Sequence, residues 1–133
     1  DVSIAAPEGY GPDDAVLDRA REIAGIQGGK ITSSNDPLEA VESAHVVVTD
    51  TWVSMGMEDQ AQERALVFQA FTVDSALMSK ADKGAIFLHC LPAYRGFEVS
   101  ADVIDGSQSR VWQEAENRLH AQKALMAWLA EQN

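Results

Sequence analysis

The stretch Ala85-Ile86-Phe87-Leu88-His89-Cys90-Leu91-Pro92-Ala93 decides how this chain is read. Its apolar run reads as a buried strand that stops abruptly at His-Cys-Leu-Pro, where the only cysteine of the chain lies. In an open α/β sheet, ligands bind beyond the carboxyl ends of the strands, so a thiol at that point marks a candidate site. Adjacent strand residues point to opposite faces, which argues against a dyad between His89 and Cys90. A buried, inert cysteine is the default reading of a lone Cys, and only the position at a strand end argues against it. Leu91-Pro92 is a candidate for a cis bond, which typically marks a tight turn.

Working outward, His45-Val46-Val47-Val48-Thr49-Asp50 is β-branched and apolar on both faces, as a central parallel strand is. Asp50 ends that strand as Cys90 ends the other. If the two strands are neighbours, a carboxylate and a thiol converge on one edge of the sheet; a helix cap or a solvated end is the plainer reading of Asp50. The loop Val53-Ser54-Met55-Gly56-Met57-Glu58-Asp59 follows, and its Met and Gly residues suit a lip folding over an aliphatic ligand.

Earlier in the chain, Val2 to Ala6 reads as a strand that begins without lead-in and stops at Pro7-Glu8-Gly9. Asp13 or Asp14 caps a helix to about Ala24, with Val16, Leu17, Ala20 and Ile23 on its apolar face. Lys30 to Thr32 is a weak strand, and Asn35-Asp36-Pro37 opens a helix with Leu38, Val41 and Ala44 facing inward. Later, a helical region runs from about Gln60 to Lys80 with a break near Thr72-Val73-Asp74. A short helical turn covers Ser100 to Ile104. From Val111 a long amphipathic helix carries Ala115, Leu119, Leu125, Met126 and Leu129 on its apolar stripe. Strands alternating with helices predict an α/β fold with an open, mainly parallel sheet, helices on both faces and a Rossmann-like organisation.

With 133 residues, the chain has the size of one domain, large enough for a core but small for a complete two-substrate enzyme. Hydrophobic residues make up 46% and charged residues 23%, which excludes disorder. A net charge of −11 argues against non-specific nucleic-acid binding and requires a locally basic pocket for any anionic substrate. One cysteine excludes an internal disulfide framework and suits a cytoplasmic location. No apolar run approaches the roughly 20 residues of a membrane span. No Gly-x-Gly-x-x-Gly or Walker loop is present, and no cofactor is expected. His45, His89, His120 and Cys90 lack ligand-type spacing, so no metal is expected either. Arg118 lies four residues after Glu114, which reads as a surface pair or as a guanidinium aimed at a carbamoyl or phosphate oxygen. Trp52, Trp112 and Trp128 are read as core or interface residues.

Three segments in order resemble the ornithine carbamoyltransferases: Asp50-Thr51-Trp52-Val53-Ser54-Met55-Gly56, Phe87-Leu88-His89-Cys90-Leu91-Pro92-Ala93, and Glu114-Ala115-Glu116-Asn117-Arg118-Leu119-His120-Ala121-Gln122-Lys123-Ala124. The resemblance spans essentially the whole chain. It implies the carboxy-terminal, ornithine-binding domain of a two-domain subunit, with the amino-terminal carbamoyl phosphate-binding domain and the first strand of the second domain outside this sequence. By the same resemblance, Asp50, Ser54 and Met55 contact ornithine, Cys90 and Leu91 lie at the reacting amine and carbamoyl group, and Arg118 contacts carbamoyl phosphate. The implied reaction is carbamoyl transfer from carbamoyl phosphate to L-ornithine in arginine biosynthesis, by a homotrimer or a multiple of it. The last helix, about 111–131, is expected to pack toward the amino-terminal domain. Carbamoyl transfer to another amine such as putrescine, or a non-catalytic ligand-binding domain, are the competing readings. Tyr94 stands where a His is usual in the family, and Phe97 where an acidic residue is usual.

Overall fold

The computed structural model describes residues 1–53 and 56–132. Its strands are β1 (Val2–Ala5), β2 (Ile31–Ser34), β3 (Val46–Thr49) and β4 (Ile86–His89), all in parallel pairs. The helices are α1 (Asp14–Gln27), α2 (Pro37–Val41), α3 (Ala61–Phe68), α4 (Ser75–Met78), α5 (Ala101–Ile104) and α6 (Val111–Glu131). The open parallel α/β class expected from the alternating pattern is therefore the observed one. Its ladders form two pairs, β1 with β2 and β3 with β4.

Local chemistry sets most boundaries. Asp13 caps α1 by accepting from the Ala15 and Val16 amides, and Gly28 closes it in the left-handed conformation at φ 80°. Asp36 caps α2 with Pro37 in its first turn, and Asp74 caps α4 after the break at Thr72. The helical region beyond Gln60 is split as expected, with 3-10 turns at Glu58–Gln60 and Gln69–Phe71 flanking α3.

The core lies around β4. Phe87, Val99 and Val111 are fully buried, and Ala85, Val103, Ile104, Val41, Val47, Leu77 and Met78 pack with them. Phe87 pairs with Val47 on β3, while its amide and carbonyl bond Gln108 and Arg110 on the other side, so β4 is held from both edges. That double pairing makes β4 the rigid base for whatever follows His89.

Four expectations about burial, in α1, α2, β3 and α6, need correction. Only Leu17 of the predicted α1 face is buried, with Val16 and Ile23 exposed, and Leu38 of α2 is exposed while Val41 is buried. β3 is covered on the Val47 face alone; Val46 and Val48 are exposed, since no described helix packs over them. The apolar stripe of α6 is also open: Val111 is its one buried residue, and Leu119, Leu125, Met126 and Leu129 are at least half exposed. Apolar patterning tells which faces seek cover, and these faces stay largely exposed among the described residues.

Candidate active site

The register of β3 and β4 builds the site. Thr49 is paired with His89, so the next residues, Asp50 and Cys90, leave the sheet side by side at its carboxyl edge. The Cys90 thiol donates to Asp50 Oδ1 at 3.1 Å, and the same oxygen accepts the Thr51 amide at 2.7 Å. Asp50 is therefore neither a helix cap nor a merely solvated end. Cys90 is exposed, which rules out the inert buried cysteine.

The thiol holds its proton tightly. Its pKa is raised above the ordinary 9.0, first by the hydrogen bond to Asp50, then by desolvation and by the negative charges of Asp50 and Glu114. A neutral S–H at the site can orient a ligand but is a poor nucleophile.

His89, the last residue of β4, is fully buried. Its Nδ1 accepts the Leu91 amide at 2.9 Å and its Nε2 lies 3.2 Å from Glu98 Oε1, so it makes no hydrogen bond to Cys90. Asp50, His89 and Cys90 each place one potential ligand atom within 4.8 Å of the others. The imidazole nitrogens of that group are already engaged by Leu91 and Glu98, so a metal would have to displace a fold contact to use them. Leu91 adopts φ 58°, a left-handed conformation costing a non-glycine residue about 1–3 kcal/mol, and the Leu91-Pro92 bond is cis.

Glu114, at the start of α6, accepts the His89 amide at 2.9 Å and so joins the helix to the strand end. Among the described residues Glu114 makes this contact and no ion pair with Arg118, so the surface-pair reading of Arg118 is not the observed one. Arg118 lies one turn further along α6, about 6 Å along its axis, and is exposed. Ser54 and Met55 fall outside the described residues. The loop that carries them is gripped at its described ends by Arg64 of α3. That guanidinium donates to the Trp52 carbonyl at 3.1 Å, to Gln60 Oε1 at 3.1 Å and to Met57 Sδ at 3.6 Å, and stacks over Tyr10. Beside the loop, a cavity of about 300 Å³ is lined by Trp52, Val53, Tyr94, Phe97 and Glu98. The two positions that depart from the usual family pattern thus both face this cavity. Arg64 and Glu98 were not singled out from the sequence, and Glu114 was read there only as a surface partner of Arg118, because no local spacing marks a side chain that reaches across the fold.

The family described as "Aspartate/ornithine carbamoyltransferase, Asp/Orn binding domain" matches residues 1–129. This chain belongs to that family as an Asp/Orn-binding domain. The domain is 58% identical to an ornithine carbamoyltransferase of Leifsonia xyli subsp. xyli over 99% of its own length and 42% of the relative. It is 55% identical to the ornithine carbamoyltransferase of Wolinella succinogenes over 97% of its length and 42% of that relative. Among solved structures, the Pyrococcus furiosus ornithine carbamoyltransferase superimposes with a TM-score of 0.89 at 50% identity, covering 96% of the domain and 41% of that chain. The Asp/Orn-binding domain thus spans about two-fifths of the length of these relatives. Among its described residues no helix is long and apolar enough to cross a membrane.

Proposed function

We propose that this domain supplies the ornithine half of an ornithine carbamoyltransferase site, which transfers the carbamoyl group of carbamoyl phosphate to the side-chain amine of L-ornithine. The observation that carries this reading is the Cys90–Asp50 contact at the carboxyl edge of two parallel strands, in a domain of this family. In the reaction, the amine nitrogen attacks the carbonyl carbon, the carbon–oxygen bond to phosphate breaks, and citrulline and phosphate leave. An alkyl ammonium of pKa about 10.4 must shed two protons on this path, one ending on phosphate and one in solvent. The Asp50 carboxylate binds and orients the amino groups, while the protonated Cys90 thiol places the amine and passes no electrons to the carbonyl carbon. Ser54 and Met55 hold the amino-acid end of ornithine, and Leu91 meets the carbamoyl group. Arg118 neutralises charge growing on the carbamoyl oxygen, an effect worth about 2–4 kcal/mol for one good donor.

The remaining charge for phosphate comes from an amino-terminal carbamoyl phosphate-binding domain, toward which the open stripe of α6 packs. The working enzyme is a cytoplasmic homotrimer, or a multiple of it, in arginine biosynthesis. Two measurements test the reading. With the amino-terminal domain present, citrulline forms from ornithine and carbamoyl phosphate, and Cys90→Ala lowers kcat and weakens ornithine binding; unchanged steady-state kinetics would remove Cys90 from the site. Alone, this chain makes no citrulline, and turnover by it would overturn the need for a second domain.

A further inference from the structure

Two ionisable side chains are sealed directly beneath the site and have no role in the chemistry proposed above. His89 is fully buried and Glu98 is 1% exposed. An amide N–H can only donate, so the Leu91 amide at 2.9 Å requires an unprotonated Nδ1 on His89. The ring proton then sits on Nε2, which donates to Glu98 Oε1 at 3.2 Å. The same carboxylate oxygen accepts the Tyr94 amide at 2.5 Å, which ties the loop after Pro92 to the pair. The chain of contacts thus runs from Glu98 through the imidazole to Leu91, the residue held in a left-handed conformation, and Cys90 lies between the two residues so joined.

We propose that Glu98 and His89 are a positioning pair for carbamoyl transfer. Glu98 sets the tautomer and direction of the imidazole, and the free Nδ1 lone pair holds the Leu91 amide. The Cys90–Leu91 backbone is thereby kept in the geometry that presents the thiol and Leu91 to the reacting groups. The pair touches no substrate itself. Its purpose rests on the carbamoyltransferase reading, but its geometry does not.

Two kinds of experiment test it. In this chain with 15N-labelled histidine, His89 shows a protonated Nε2 and a bare Nδ1 at neutral pH; a proton on Nδ1 overturns the proposal. With the amino-terminal domain present, variants separate positioning from core filling. Glu98→Gln keeps an oxygen acceptor and most of kcat. Glu98→Leu, of similar volume, lowers kcat by roughly 100-fold, the size expected of a misplaced reacting group, and leaves KM for carbamoyl phosphate unchanged. If Glu98→Leu does not fold, the His89 pair of variants decides. His89→Asn places an acceptor where Nδ1 stood and keeps more kcat than His89→Gln, which reaches only toward Glu98. Equal activity in the two, or the reverse order, overturns the proposal. A wild-type assembly without citrulline synthesis would refute the substrate reading, and the imidazole spectrum would still decide the pair.

Discussion

A thiol bonded to a carboxylate behaves differently from a free one, and Cys90 is the only thiol here. The Asp50 contact stabilises the protonated form and raises the thiol pKa, so alkylation, which needs the thiolate, is slow at pH 8 and accelerates only at higher pH. Asp50→Ala removes the acceptor and its charge, so the alkylation profile shifts to lower pH. A rate-against-pH curve with iodoacetamide measures this directly, and an unmoved curve would mean that Asp50 does not control the thiol. Much of this residue-level picture was legible in advance. Asp50 and Cys90 each follow an apolar strand, and the expectation of no His89–Cys90 dyad agrees with their separate hydrogen-bond partners. Alternation does not keep the two apart, however: their ligand atoms lie within 4.8 Å. Glu98 and Glu114 were not legible. Each reaches the strand end from 9 and 25 residues away, through contacts that only the folded chain creates.

Between the elements, single contacts carry the geometry. Arg64 bonds three described groups at the ends of the loop after β3, so Arg64→Ala is expected to speed amide exchange in residues 51–60 while leaving β4 protected. Hydrogen-exchange mass spectrometry distinguishes that local effect from global loosening. At the far end of the core, a Cβ on Gly106 would meet the Asp102 carbonyl oxygen, a backbone atom that cannot step aside. Gly106→Ala should therefore destabilise the domain by about 1–3 kcal/mol, read from the denaturant midpoint. Arg95 and Asp105 form a two-armed ion pair that joins the loop after Pro92 to the end of α5. The guanidinium lowers the Asp105 pKa below its ordinary 3.8. The pairing is thus complete above that value and is lost as pH falls through the lowered one. Helix caps and the break before Asp74 were readable from residue type alone, since capping chemistry is local. Burial was less readable: Val46, Val48 and the α6 stripe are as apolar as any core residue, and whether something covers them is a property of the assembly.

For the molecule as a whole, that uncovered surface is the main fact. Leu125 at 55%, Met126 at 71% and Trp128 at 56% exposure lie close together near the end of α6, a patch that costs free energy in water. The isolated chain is expected to self-associate, and Leu125→Glu with Met126→Glu to make it monodisperse in light scattering without lowering its melting temperature. The same pair should prevent association with the amino-terminal domain, while continued reconstitution would place that contact elsewhere. The tryptophans divide in a useful way. Trp112 and Trp128 are well exposed on α6, whereas Trp52 is 9% exposed and sits among Phe68 and Phe97, two residues beyond Asp50. Its indole is a native fluorophore in the lining of the cavity beside the candidate site. Replacing Trp112 and Trp128 by Phe would leave one emitter whose colour and intensity report, without any label, on each molecule that settles at the carboxyl edge of the sheet.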